Sequence, residues 1–151
     1  MVKVLMVCLG NICRSPLAEG ILKSKVDQVQ VFVDSAGTGG WHVGELPDIR
    51  SMGIARINKV DISDQRCRKF KANDFEDFDL IYVMDSSNLS DVLALARTEN
   101  HRNKVNMILN ELNEGSNMEV PDPYYGGERG FEKVYKLLDE ACEHIAKKLK
   151  Q

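Results

Sequence analysis

Residues 4–22, VLMVCLGNICRSPLAEGIL, pass from one structural periodicity to another through a very short polar loop. VKVLMV (2–7) is apolar and β-branched apart from Lys3, the pattern of a buried strand. Beyond the loop, Leu17, Ala18, Ile21, Leu22 and Val26 recur at helical spacing. Ser15 suits the N-cap of that helix and Pro16 its first turn.

The same alternation continues along the chain. VQVFVDSAG (29–37), FDLIYVMD (78–85) and the weaker KVNMIL (104–109) read as further strands. Asp48–Asn58 and Ser87–Arg97 read as helices. Phe131, Val134, Tyr135, Leu138, Cys142, Ile145 and Leu149 mark a long amphipathic helix at the C-terminal end. Strands alternating with helices imply an α/β fold with a parallel sheet covered on both faces. No linker or repeat divides the chain, so residues 1–151 are expected to form one domain. The irregular stretches 37–47 and 114–129 carry Gly, Pro and aromatic residues, and in such sheets they gather at the carboxyl ends of the strands, where ligands bind.

Twenty Lys and Arg against 23 Asp and Glu leave a net charge of −3, which argues against a general nucleic-acid binder. No apolar run approaches the roughly 20 residues of a membrane helix, and the N-terminus lacks the pattern of a secretory signal. A cytoplasmic protein without membrane insertion is expected. The four cysteines (Cys8, Cys13, Cys67, Cys142) form no CxxC pair and the three histidines are scattered, so no zinc-ligand spacing is present. No metal or cofactor is expected.

The loop itself carries chemistry. Cys8 stands where the first strand ends and Arg14 where the first helix begins. The five residues between them, Leu9, Gly10, Asn11, Ile12 and Cys13, can turn their N–H groups inward as an anion nest. The helix adds its unpaired N–H groups and the positive end of its dipole. A phosphate fits such a cradle, and Arg14 can hold two of its oxygens through its planar fork. That field also favours a thiolate, which makes Cys8 a candidate nucleophile. Gly10 supplies backbone freedom, and Asn11 tolerates a left-handed conformation.

VCLGNICRSPLAEG resembles the signature of the low-molecular-weight protein tyrosine phosphatases. The resemblance continues through DSAGTGGWHVGELPDIR, FDLIYVMDSSNL and VPDPYYGG. It implies a three-layer sandwich, with a four-stranded parallel sheet between helices and a phosphate-binding loop after the first strand. It further implies hydrolysis of phosphotyrosine through a cysteinyl-phosphate intermediate. In this reading Cys8 is the nucleophile, Arg14 the phosphate clamp and Ser15 a hydrogen-bond donor to the thiolate. Asn11 braces the loop with Ser35, Asp85 supports the site, and Asp122 is the general acid and base. Trp41, Tyr124 and Tyr125 are candidate walls for a flat aromatic phosphoester. Cys13, the second loop cysteine, is a candidate redox partner of Cys8. Partners are tyrosine-phosphorylated proteins and phosphate or other oxyanions, with the chain a monomer or weak dimer. One departure stands in ISDQRCRKF, where family members often carry a histidine. Asp64 is read as occupying that place, with Cys67 close by, and neither is assigned a role.

Two enzyme alternatives share this scaffold. Thioredoxin-coupled arsenate reductases need two further relay cysteines, and IYVMDSSNLSDVLAL contains none. Protein arginine phosphatases carry a small Thr where this loop has Ile12, and a bulky aliphatic residue favours an aromatic phosphoester. A phosphocarrier of the sugar-phosphotransferase type would hold a phosphocysteine on a similar loop, but without the arginine and the downstream acid.

Overall fold

The computed structural model describes residues 1–123 and 126–150. Four parallel strands, β1 (Val2–Cys8), β2 (Val31–Gly37), β3 (Leu80–Val83) and β4 (Val105–Met107), form one sheet in the order β2-β1-β3-β4. Among the described residues six α-helices accompany them: α1 (Arg14–Lys25), α2 (Ile49–Ile57), α3 (Asp74–Asp77), α4 (Ser86–Leu93), α5 (Glu99–Asn103) and α6 (Gly127–Leu149).

Side chains alternate across the pleat of β1, and the two sets enter different cores. Val4, Met6 and Cys8 share a cluster with Leu17 and Ile21 of α1 and Val134 and Leu138 of α6. Leu5 and Val7 share the other with Phe70, Phe75, Phe78 and Val92. The layers are therefore helix, sheet, helix, as expected. On α6 the expected stripe is buried from Phe131 through Ile145.

The expected spans differ from the observed ones at their ends. The second strand starts at Val31 because the N–H groups of Gln30 and Val31 both donate to Asp27 O in a turn. The fourth stops at Met107, after which Ile108–Glu111 wind into a 3-10 turn. The fourth α-helix ends at Leu93, short of Arg97. Helices α3 and α5 have no counterpart in the sequence reading, being too short to show an apolar period.

From β1 the sheet grows outward in both directions, towards β2 on one side and β3 on the other. The crevice above this switch point is where an open α/β sheet binds its ligand. The loop after β1 and the turn after β3 both open into it.

Candidate active site

Cys8 ends β1 in register with Gly37, the last residue of β2. The loop then folds back over the strand ends. Thr38 N–H donates to Cys8 O at 2.9 Å and Gly39 N–H to Leu9 O at 2.8 Å. A β-carbon at Gly37 would lie 2.8 Å from Leu9 O and 3.0 Å from Asn11 N, so only glycine admits the loop this close.

Asn11 sits at φ 57°, the left-handed conformation its residue type tolerates, and is buried. Its N–H donates to Cys8 Sγ at 3.3 Å, and its Oδ1 accepts from Arg68 N–H at 3.0 Å. That second bond fixes which end of the amide is which. Nδ2 therefore donates to Ser15 Oγ at 2.8 Å and to Ser35 Oγ at 3.0 Å. The Ser35 hydroxyl in turn donates a hydrogen bond to Glu19 Oε1 at 2.7 Å. Burial raises the Glu19 carboxyl above the ordinary range, against the hydrogen bonds from Lys23 and Ser35. Ser15 Oγ lies 3.0 Å from Cys8 Sγ and, already accepting from Asn11, has its proton available for the sulfur.

The expectation that Ser15 caps α1 is corrected. The helix begins at Arg14 with Cys13 in the cap position, which puts Ser15 inside the first turn and turns its hydroxyl to Cys8. Arg14 is buried and donates through Nη1 to Asp85 Oδ2 at 2.8 Å and to Val120 O at 2.9 Å. The other carboxylate oxygen of Asp85 accepts from Asn88 N–H at 2.8 Å, so this residue caps α4 and orients the guanidinium together. Val120 N–H in turn donates to Met84 O, and Glu119 accepts from both the N–H and the hydroxyl of Ser86. These bonds tie the stretch preceding Asp122 to the end of β3.

Asp122 is exposed and lines a pocket of about 300 Å³ together with Cys8, Leu9, Gly10, Ile12, Cys13, Arg14, Trp41 and His42. Such a volume lies at the small end of ligand sites. Trp41 is 71% exposed and its ring lies against Gly39, which makes it a wall of the pocket rather than a plug beneath a loop. Cys13 is buried; desolvation and the nearby Asp48 carboxylate push its thiol up to about 12. All four cysteines are unpaired thiols. Among the described residues no three His, Cys, Asp or Glu side chains converge as a metal site, and no helix is long and apolar enough to cross a membrane.

The family model for low molecular weight phosphotyrosine protein phosphatase matches residues 3–151. The chain belongs to this family. It is 37% identical over 153 residues to the low molecular weight phosphotyrosine protein phosphatase of Schizosaccharomyces pombe, covering 98% of this chain and 97% of the yeast protein. Its fold matches a crystal structure of the protein tyrosine phosphatase from Entamoeba histolytica with Hepes in the active site, with a TM-score of 0.91 and 36% identity, covering 99% of this chain and 97% of that one. It also matches Vibrio vulnificus Wzb in complex with benzylphosphonate, with a TM-score of 0.86 and 29% identity over 97% and 98% of the two chains. The chain is a protein-tyrosine-phosphatase, a phosphoric monoester hydrolase.

In this phosphatase the candidate residues Cys8, Leu9, Gly10, Ile12, Cys13, Arg14, Trp41 and Asp122 come together in one pocket, with Asn11, Ser15, Ser35 and Asp85 behind it. Tyr124 and Tyr125 lie outside the described residues. Asp64 is exposed, whereas its neighbour Gln65 is buried and donates to Pro16 O at 3.0 Å. Cys67 has a role the sequence reading left open: its thiol donates to Asn11 O at 2.8 Å and so supports the loop from below. Burial and the Glu45 carboxylate push that thiol up to about 11. Glu19 and His42 were not among the expected site residues. Glu19 follows Ser15 by four positions, so helical spacing puts the two on one face, but nothing in the sequence marks Glu19 as buried. His42 adjoins Trp41 and had only that neighbour as a signal.

Proposed function

We propose that this phosphatase hydrolyses phosphotyrosine in protein substrates through a cysteinyl-phosphate intermediate, with Cys8 as nucleophile, Arg14 as phosphate clamp and Asp122 as general acid and base. The observation that carries this reading is that these three residues, from a strand end, a helix start and a distant irregular stretch, line one small pocket.

The phosphoryl group sits in the loop, its oxygens facing the loop N–H groups and the Arg14 fork. The Cys8 sulfur attacks phosphorus on the side opposite the ester oxygen. As the P–O bond breaks, Asp122 gives its proton to the leaving phenolate. Asp122, now a carboxylate, takes a proton from a water molecule, and that water attacks phosphorus and expels the sulfur. Inorganic phosphate leaves and the Cys8 thiolate is restored. Ser15 hydrogen-bonds the sulfur whenever it carries charge, both before attack and on departure. Each step balances without a further reactant.

Aromatic selectivity is supported by the Trp41 wall and by Ile12 on the pocket lining. Residues 1–151 act as one phosphatase domain, and unpaired cysteines fit a reducing cytoplasm. The direct test is phosphate release from phosphotyrosine, phosphoarginine and phosphoserine peptides of one sequence, measured side by side. Phosphotyrosine should be preferred in kcat/KM; a preference for phosphoarginine would overturn the substrate assignment.

A further inference from the structure

His42 stands on the pocket lining with a defined hydrogen-bond polarity. Residues 42–45 make a tight turn, closed by Glu45 N–H donating to His42 O at 2.9 Å, with Gly44 at φ +86° where only glycine is unstrained. The turn is anchored in both directions: Gly44 N–H donates to Cys67 O, and Cys67 N–H donates to Glu45 O. Inside it, the Glu45 carboxylate Oε2 lies 2.9 Å from His42 Nδ1. A carboxylate only accepts, so Nδ1 carries the proton. In the neutral ring, Nε2 then holds a lone pair.

That lone pair is on the edge of the ring nearer the loop. A β-carbon at Gly10 would lie 3.4 Å from His42 Cδ2 and 4.0 Å from Nε2. Trp41 and Val43, on either side in sequence, are both largely exposed. On the pocket lining, His42 thus presents a hydrogen-bond acceptor beside the exposed Trp41 ring. A phosphate dianion offers Nε2 no proton, and neither does the phenyl ring of the substrate. The donors that every polypeptide substrate offers near that ring, whatever its sequence, are the main-chain N–H groups flanking the tyrosine.

We infer that His42, oriented by Glu45, accepts a hydrogen bond from a main-chain N–H flanking the phosphotyrosine, and so favours polypeptide substrates over free aryl phosphates. This rests on the reading of the pocket as a phosphotyrosine site. His42 is a specificity residue here and takes no part in the bond-breaking steps.

The test uses one phosphotyrosyl peptide and two variants of it, N-methylated either at the phosphotyrosine nitrogen or at the nitrogen of the next residue. Each comparison is run across a pH series, because only the neutral ring accepts at Nε2. In the wild-type enzyme one of the two methylations should lower kcat/KM about fivefold, the worth of one neutral hydrogen bond. In His42→Ala that penalty should shrink to near unity. His42→Phe, which keeps a flat ring but no acceptor, should behave the same way. Because each enzyme is compared with itself on matched peptides, a general loss of activity does not disturb the ratio. Equal penalties in all three enzymes, or none in the wild type, would overturn the inference. So would a loss on p-nitrophenyl phosphate as large as that on the peptide, which would assign His42 to the phosphate. A wild type that cleaves p-nitrophenyl phosphate but none of the peptides is a different result; it removes the protein-substrate reading and this inference with it.

Discussion

Ser15 Oγ lies 3.0 Å from Cys8 Sγ, and Asn11 donates into the same oxygen. The serine proton is thereby directed at the sulfur, where a charge-assisted hydrogen bond is worth about 1.5–3 kcal/mol. Ser15→Ala is therefore expected to slow turnover by about 10–100-fold. If the bond also aids departure of the sulfur, rapid-quench experiments should show phosphoenzyme accumulating. A variant with wild-type burst and steady-state rates would show the contact to be idle.

Cys8→Ser should abolish turnover while retaining phosphate binding, since a serine hydroxyl in this site is no nucleophile. Arg14→Ala should lose both, because the clamp also bonds Asp85 and Val120 O. Titration calorimetry with inorganic phosphate separates the two outcomes. Substantial activity in Cys8→Ser would end the covalent mechanism.

Asp122→Asn should cost about 10²–10⁴ in rate, the range of general acid catalysis. The loss should shrink as the leaving phenol becomes more acidic and needs less protonation. A series of substituted aryl phosphates measures this; equal losses along the series would mean that Asp122 only shapes the loop.

Ile12 lines the pocket and is partly exposed. Ile12→Thr should open the rim and raise the ratio of phosphoarginine to phosphotyrosine hydrolysis. An unchanged ratio, measured as kcat/KM on matched peptides, would show that this side chain does not set selectivity.

Peroxide should inactivate the enzyme reversibly, with phosphate protecting and thiol reductants restoring it. Oxidation converts Cys8 to a sulfenic acid, which a Cys13 thiolate attacks to form a disulfide and release hydroxide. The Cys13 thiol is pushed up to about 12, so it stays protonated at neutral pH, and its thiolate fraction grows about tenfold per pH unit below that value. Trapping should accordingly be faster at pH 9 than at pH 7, and Cys13→Ser should recover a smaller fraction of its activity after reduction. Peptide mapping should find a Cys8–Cys13 link. Bridges confined to Cys67 or Cys142 would dismiss Cys13 as the trapping thiol.

How far the chain could be read in advance follows from how local each feature is. Cys8, Arg14 and Ser15 lie within eight residues, and their proximity is fixed by one strand, one loop and one helix turn. The sheet was legible because β1 and β2 are rich in β-branched and apolar residues, and α6 because its stripe from Phe131 to Leu149 repeats over about five turns. What escaped were relationships across the fold. Glu19 gains its place from Ser35, Arg68 from the Asn11 side chain, and Gln65 from Pro16 O, at separations of 16, 57 and 49 residues. No period in the sequence encodes such pairings. For Ser15 only the cap reading fails, because its hydroxyl turns to the neighbouring Cys8 sulfur, the other role read for it.

The loop that would receive the phosphate is held on every side before any ligand arrives. Strand register sets Cys8, Gly37 admits the backbone, Arg68 and Cys67 hold Asn11, and Asp85 holds Arg14. Little conformational freedom is left for a ligand to remove, so the interaction energy of an oxyanion is not consumed in ordering its own receptor. The reorganisation needed during reaction is small for the same reason. On the proposed reading, changes of substrate choice are expected at the rim, in the side chains of Trp41, His42 and Ile12, which make none of these bonds.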